Sequence, residues 1–170
     1  MARLFLILAI LLVLANMAFA QVVIPMPTSG SAVMTAGELR YLELTNKERA
    51  ARGLSQLVIE PLLVEVGRAH SREMADKAYF SHTSPTAVLK TPLDRYLASE
   101  PHRPSWALVG ENLFYCSIVD IDRGHVAFMN SKGHRANVLE PRYERMGVGI
   151  YVNARGEFYV TEMFLAKTDA

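Results

Sequence analysis

The strongest constraint on the fold lies in the last quarter of the chain. Met146, Val148, Ile150 and Val152 alternate with Gly147, Gly149 and Tyr151, the two-residue period of a strand. Asn153-Ala154-Arg155-Gly156 supplies a turn and Phe158 to Leu165 a second strand, so the pair closes a hairpin. The segments before it carry helical signals instead. Thr35-Ala36-Gly37-Glu38 is a capping-box pattern; it opens a helix running to about Arg52, with Gly53 as a left-handed stop. Pro61 starts a second helix, whose spacing is traced by Leu62, Leu63, Val66, Ala69, His70, Glu73 and Met74. Thr91 to Leu97 fits a short third helix, and 98–105, with two prolines, reads as a loop. Trp106 to Cys116 is apolar around Gly110-Glu111-Asn112 and reads as a buried strand or extended segment. Asp120 to Asn130 reads as a fourth helix, weakened by Gly124. Helices first and a hairpin last argue for an α+β fold, with helices stacked on an antiparallel sheet.

The first twenty residues read as a targeting segment. Arg3 gives the positive start, Leu4 to Leu14 is unbroken apolar, and Ala18-Phe19-Ala20 fits a small-x-small cleavage pattern before Gln21. The apolar run is shorter than the ~20 residues a spanning helix needs, which favours cleavage over an anchor. Residues 1–20 are therefore expected as a signal peptide and the product as secreted, extracellular or periplasmic, with no stable membrane span after cleavage. Residues 21–36, with Pro25, Pro27, Ser29, Gly30 and Ser31, read as a linker, and 37–170 as one domain. The processed chain has 150 residues (170 − 20), a length that buries roughly 70% of its unfolded surface. Without Arg3, 17 basic residues (18 − 1) face 17 acidic ones. That balance gives no electrostatic footing for nucleic acid or an anionic membrane. Cys116 is the only cysteine, so no intramolecular disulfide can form. It reads as a buried thiol, with an intermolecular bridge as the alternative.

Three polar motifs interrupt this scaffold: Phe80-Ser81-His82-Thr83-Ser84-Pro85, Gly110-Glu111-Asn112-Leu113, and Asn130-Ser131-Lys132-Gly133-His134-Arg135-Ala136-Asn137. Each sets ionisable or amide side chains among turn formers, where binding residues concentrate. Two imidazoles and a carboxylate suit a metal ion or proton transfer. Each also has a plainer reading. His82 could be a helix-end histidine favoured by the helix dipole, Glu111 a structural carboxylate bonded to backbone, and His134 a solvated loop histidine. Asn112 and Asn137 read as amides that hold turn backbone. His70 falls on the apolar stripe of the second helix and reads as a core residue. His102 lies between Pro101 and Pro104 and reads as solvated, and His125 has no evident partner. Ser81, Ser84 and Ser131 lack the G-x-S-x-G elbow of a serine hydrolase.

Taken in order, the three motifs resemble the signature of the CAP superfamily, the cysteine-rich secretory, antigen-5 and pathogenesis-related domain also called the SCP domain. Leu44-Thr45-Asn46-Lys47-Glu48-Arg49 with Gly53-Leu54 resembles that family's first helix, and Ala69-His70-Ser71-Arg72-Glu73-Met74-Ala75 its second. Met146-Gly147-Val148-Gly149 and Tyr159-Val160-Thr161-Glu162-Met163-Phe164 resemble two of its strands. The absence of paired cysteines makes the chain resemble the bacterial branch. The resemblance implies a three-layer α-β-α sandwich. It makes His82 and His134 the two cavity histidines and Glu111 the cavity carboxylate, with Asn112, Asn137 and Arg49 as structural support. Many animal members carry a second acidic residue before the last histidine; here Ser131 takes that place, as a neutral fourth member. Glu162 either faces the same cavity or points to solvent.

These readings lead to an exported, non-enzymatic domain whose cleft binds a divalent cation or a small extracellular ligand. His82, Glu111 and His134 make up a set that zinc, or another divalent cation, accepts with one position open. The first alternative is a metal-assisted hydrolase of peptide or cell-wall material, in which Glu111 would have to serve as ligand and base at once. The second is a lipid or sterol carrier. The expected partners are accordingly a small molecule, a lipid or an extracellular surface component.

Overall fold

The computed structural model describes residues 34–169. The signal segment and most of the expected linker lie outside the described residues. Helix α1 (Ala36–Ala50) opens on Thr35, whose side chain accepts from Glu38 N while the Glu38 carboxylate takes the Thr35 N–H, the reciprocal capping box. It stops two residues before the expected Arg52, and Gly53 provides the left-handed residue, φ +71°. Strand β1 (Val58–Ile59) is followed by α2 (Pro61–Asp76), with proline in its first turn. A 3₁₀ turn (Ala87–Leu89) leads to α3 (Pro92–Ser99), which has its own capping box from Thr91 and Asp94. Then come β2 (Trp106–Cys116), α4 (Ile121–Asn130), α5 (Lys132–Val138), β3 (Arg145–Val152) and β4 (Phe158–Thr168). Among the described residues no helix is long and apolar enough to cross a membrane.

The sheet runs β1-β3-β4-β2. Its three long strands are antiparallel, and the short β1 joins the β3 edge in parallel. Because side chains alternate across a sheet, each face receives its own helical layer. On one side Tyr41, Phe128 and Val138 pack on Met146, Val148, Phe158, Val160 and Phe164. On the other, Leu63, Val66 and Tyr96 pack on Met163 and Leu165. The result is the expected three-layer α-β-α sandwich. Helix α2 comes so near β3 that a Cβ on Gly149 would collide with the Arg68 backbone nitrogen. The glycines of the alternating pattern are thus where α2 presses on the sheet.

Candidate functional site

Strand β2 carries Glu111 and Asn112 as neighbours, so they project to opposite faces. Glu111 faces the α2/α3 layer with a side chain 1% exposed. Both of its oxygens are engaged: Oε1 lies 2.7 Å from His82 Nδ1, and Oε2 accepts from Arg95 Nη2 at 2.5 Å. A carboxylate at this depth requires such partners. Arg95, on α3, also donates to the carbonyls of His82 (3.2 Å) and Leu89 (3.1 Å), so one guanidinium fixes both the carboxylate and the loop that carries its histidine.

The other end of that loop is tied to Glu73, in the last turn of α2. Its carboxylate accepts from Tyr79 (2.7 Å), Ser84 (2.8 Å), Thr86 (2.5 Å) and Lys77 (2.7 Å). Burial alone would raise the Glu73 pKa; these donors outweigh it and bring it down to about 2. His70 lies between the two carboxylates, Nδ1 3.6 Å from Glu73 and Nε2 4.0 Å from Glu111, with the Ser81 carbonyl 3.2 Å from Nε2. Its burial lowers its pKa, against the pull of Glu111. The expected core histidine therefore touches the site from beneath. His82 itself is half exposed; with Nδ1 on Glu111, its Nε2 has no hydrogen-bond partner among the described residues.

His134 stands on α5, a helix where the sequence carries no helical signal. Two asparagines dock that helix beside Glu111. Asn137 Nδ2 donates to the Glu111 carbonyl (3.0 Å) and to Asn112 Oδ1 (2.9 Å), while Asn112 Nδ2 donates to the His134 carbonyl (3.2 Å). The His134 ring packs edge-on against Phe128 at 5.3 Å. Burial lowers its pKa, and the charge of His82 lowers it further. Ser131 joins α4 to α5 as the cap of both and makes no side-chain cap bond. Arg49 is fully buried, donating to the carbonyls of Ser55, Val138, Glu140 and Tyr143, and so anchors the chain leaving α5.

Several expectations change with these positions. His82 and Glu111 meet directly, whereas His134 makes no ion pair with Glu111 among the described residues. Among the described residues no group of three or more His, Cys, Asp or Glu is placed to hold a metal ion. Each Glu111 oxygen has a partner, His82 Nδ1 on Oε1 and Arg95 on Oε2, so the expected three-donor set of His82, Glu111 and His134 is not assembled in this arrangement. Glu162 is neither solvent-facing nor in the cleft. It is 0% exposed and bonded to Asn112 on the opposite side of the sheet from Glu111. His125 does have a neighbour, Glu48 at 3.9 Å. Arg95 and Glu73 were missed. The one signal for them was that a buried Glu111 and a polar loop each need partners, which does not say which arginine or glutamate supplies them.

Comparison with known proteins agrees with this geometry. Residues 42–164 match the model of the cysteine-rich secretory protein family, CAP. The uncharacterised protein YkwD of Bacillus subtilis is 37% identical over 140 residues, 82% of this chain and 51% of that protein. The chain thus spans about half the length of that relative. An extracellular protein containing an SCP domain from Bacillus anthracis superposes with a TM-score of 0.65 at 32% identity, over 77% of this chain and 40% of that one. An outer surface protein of Borrelia burgdorferi shares the fold, with a TM-score of 0.65 at 18% identity over 78% of this chain and 91% of that one. By its matched residues, its relatives and its layered fold, the chain belongs to the CAP family.

Proposed function

We propose that the protein is an exported CAP domain that binds a divalent cation through the imidazoles of His82 and His134, without catalysing a reaction. The observation that carries this is the contact between His82 Nδ1 and Glu111 Oε1, 2.7 Å, with Arg95 holding the other oxygen. A carboxylate on one ring nitrogen fixes the tautomer and leaves the other as a lone-pair donor, the usual arrangement behind a metal-binding histidine. Glu111 then orients a ligand instead of being one. The lowered pKa of His134 favours its neutral, donating form. A bound cation would supply a Lewis-acidic point of attachment for small extracellular ligands. The hydrolase alternative lacks support, since Glu111 is not free to act as a general base. Export is supported by the targeting segment and by the extracellular B. anthracis relative.

The test is zinc titration by calorimetry on untagged protein, with intact mass to locate the start of the exported chain. The mass should begin at Gln21. His82→Ala and His134→Ala should each weaken zinc by at least about tenfold, and Glu111→Gln by roughly 10–100-fold, as for other orienting partners. Affinity should fall with pH as the imidazoles protonate. Unchanged affinity in the double variant His82→Ala/His134→Ala would refute the reading.

A further inference from the structure

Glu162 lies within β4, opposite Asn112 on β2 and Val148 on β3, and is 0% exposed. It faces the layer of α1, α4 and α5, and none of the charges around it is available to neutralise it. On α1, Tyr41 and Thr45 offer only hydroxyls, Glu38 is held by Arg68 at 2.6 Å, and Arg49 is committed to four carbonyls. On α4, His125 sits by Glu48, and Asp120 and Asp122 at the helix start add negative field near Tyr41. On α5, His134 turns its ring to Phe128. Strand β2 contributes the Asn112 amide, which donates to Oε2 at 3.0 Å, and the Cys116 thiol. Glu162 Oε1, Thr45 Oγ1 and Tyr41 OH are all buried without a hydrogen-bond partner among the described residues.

An ionised carboxylate in such surroundings would be dehydrated, uncompensated and short of one hydrogen bond, which is far costlier than a neutral acid. A proton on Oε1 removes the charge and turns that oxygen into a donor beside a hydroxyl. We infer that Glu162 is an internal proton-binding site, a neutral acid in the folded protein that donates from Oε1 to Thr45, and that losing its proton to solvent loosens α5 through Asn112. The link is direct, because the same Asn112 Nδ2 that donates to Glu162 also donates to the His134 carbonyl. The amide's two N–H groups serve these two acceptors separately, so a charged Oε2 pulls the amide towards itself by one N–H and draws the other off the His134 carbonyl. Burial pushes the Glu162 pKa up to about 8, against the Asn112 bond and the nearby Thr45 hydroxyl, which favour the charged form. The same carboxyl titrates near its ordinary value when unfolded, so the folded state gives up stability as pH rises from there towards the folded value.

Two measurements decide between a neutral and a charged Glu162, and a third tests its coupling to α5. Near pH 6 the infrared spectrum of the wild-type protein should contain a carboxylic-acid C=O band that disappears above the folded pKa and is absent in Glu162→Gln. The folding constant of wild type relative to Glu162→Gln should fall by about tenfold per pH unit across the window between the two pKa values, since one proton separates the folded and unfolded states there. Amide exchange over residues 132–138, corrected for its intrinsic pH dependence, should rise above that window in wild type and not in the variant. Absence of the band, or equal pH slopes, would overturn the proton site, and unchanged exchange would overturn its coupling to α5. Should the variant fail to fold, the infrared titration and amide exchange of the wild type alone decide both points.

Discussion

Removing Arg95 would strand the Glu111 carboxylate, whose side chain is 1% exposed, and release the carbonyls of His82 and Leu89. Breaking a buried pair from one side leaves an uncompensated charge and costs about 3–5 kcal/mol. Arg95→Met should lose stability of that order in chemical denaturation. The double variant Arg95→Met/Glu111→Leu should recover most of the loss, because no charge is then left behind. A double variant as unstable as the single one would mean that the arginine acts through the loop carbonyls and not through Glu111. The sequence showed the site's residue types and their order: His82, Glu111 and His134 stand out as polar groups among turn formers. Their roles were not legible, since a role depends on partners brought from elsewhere. Arg95 looks like any basic residue on an amphipathic helix, and only the fold reveals that it is 4% exposed. Glu162 misled for the same reason. Its register opposite Asn112 puts it on the face away from Glu111, and both that register and the helix layer covering the face are tertiary matters.

At the level of elements, those of eight residues or more were readable and the shorter ones were not. A capping box marked α1, Pro61 marked α2, and alternation marked β3; the capping box of α3 emerged only with the structure. Helix α5 is seven residues long, Lys132–Val138, and includes a glycine and an asparagine. Such a segment has little helical tendency of its own, and tertiary bonds hold it in place. Strand β1 has two residues, too few for any period, and exists because Val58 N and Glu60 N donate to the carbonyls of Glu144 and Met146. If α5 depends on docking, Asn112→Ala should be costly beyond its size. It removes the bonds to the His134 carbonyl and to Glu162 and leaves buried polar atoms unpaired, a loss of about 1–3 kcal/mol. Denaturation should show that loss, and exchange should be fastest within α5. Uniform acceleration across the sheet would place Asn112's role in β2 pairing instead.

For the molecule as a whole, its carboxylates give stability two opposed pH limbs. Glu73 is drawn down to about 2 by its donors, in spite of burial, and Glu38 is lowered by Arg68 and the Thr35 and Ile150 amides, likewise in spite of burial. A depressed acid binds its proton more readily once unfolded. Its contribution is complete above the ordinary value of 4.5 and drains away as pH falls towards the folded value. Glu162 has the opposite sign: its contribution is complete below 4.5 and lost as pH rises towards about 8. Stability should therefore peak in mildly acidic solution and decline on both sides. Glu73→Gln separates the limbs. Near neutral pH the variant should be less stable than wild type, since the Ser84, Thr86 and Lys77 donors lose their charged acceptor and the loop bearing His82 is held less firmly. As pH falls towards 2 the two proteins should converge, because wild-type Glu73 is then being protonated as well. The alkaline limb should remain unaltered in the variant. Denaturation midpoints measured across pH for both proteins test this, and curves that run parallel through the acid range would show that the hydrogen bonds to Glu73 do not govern the acid limb.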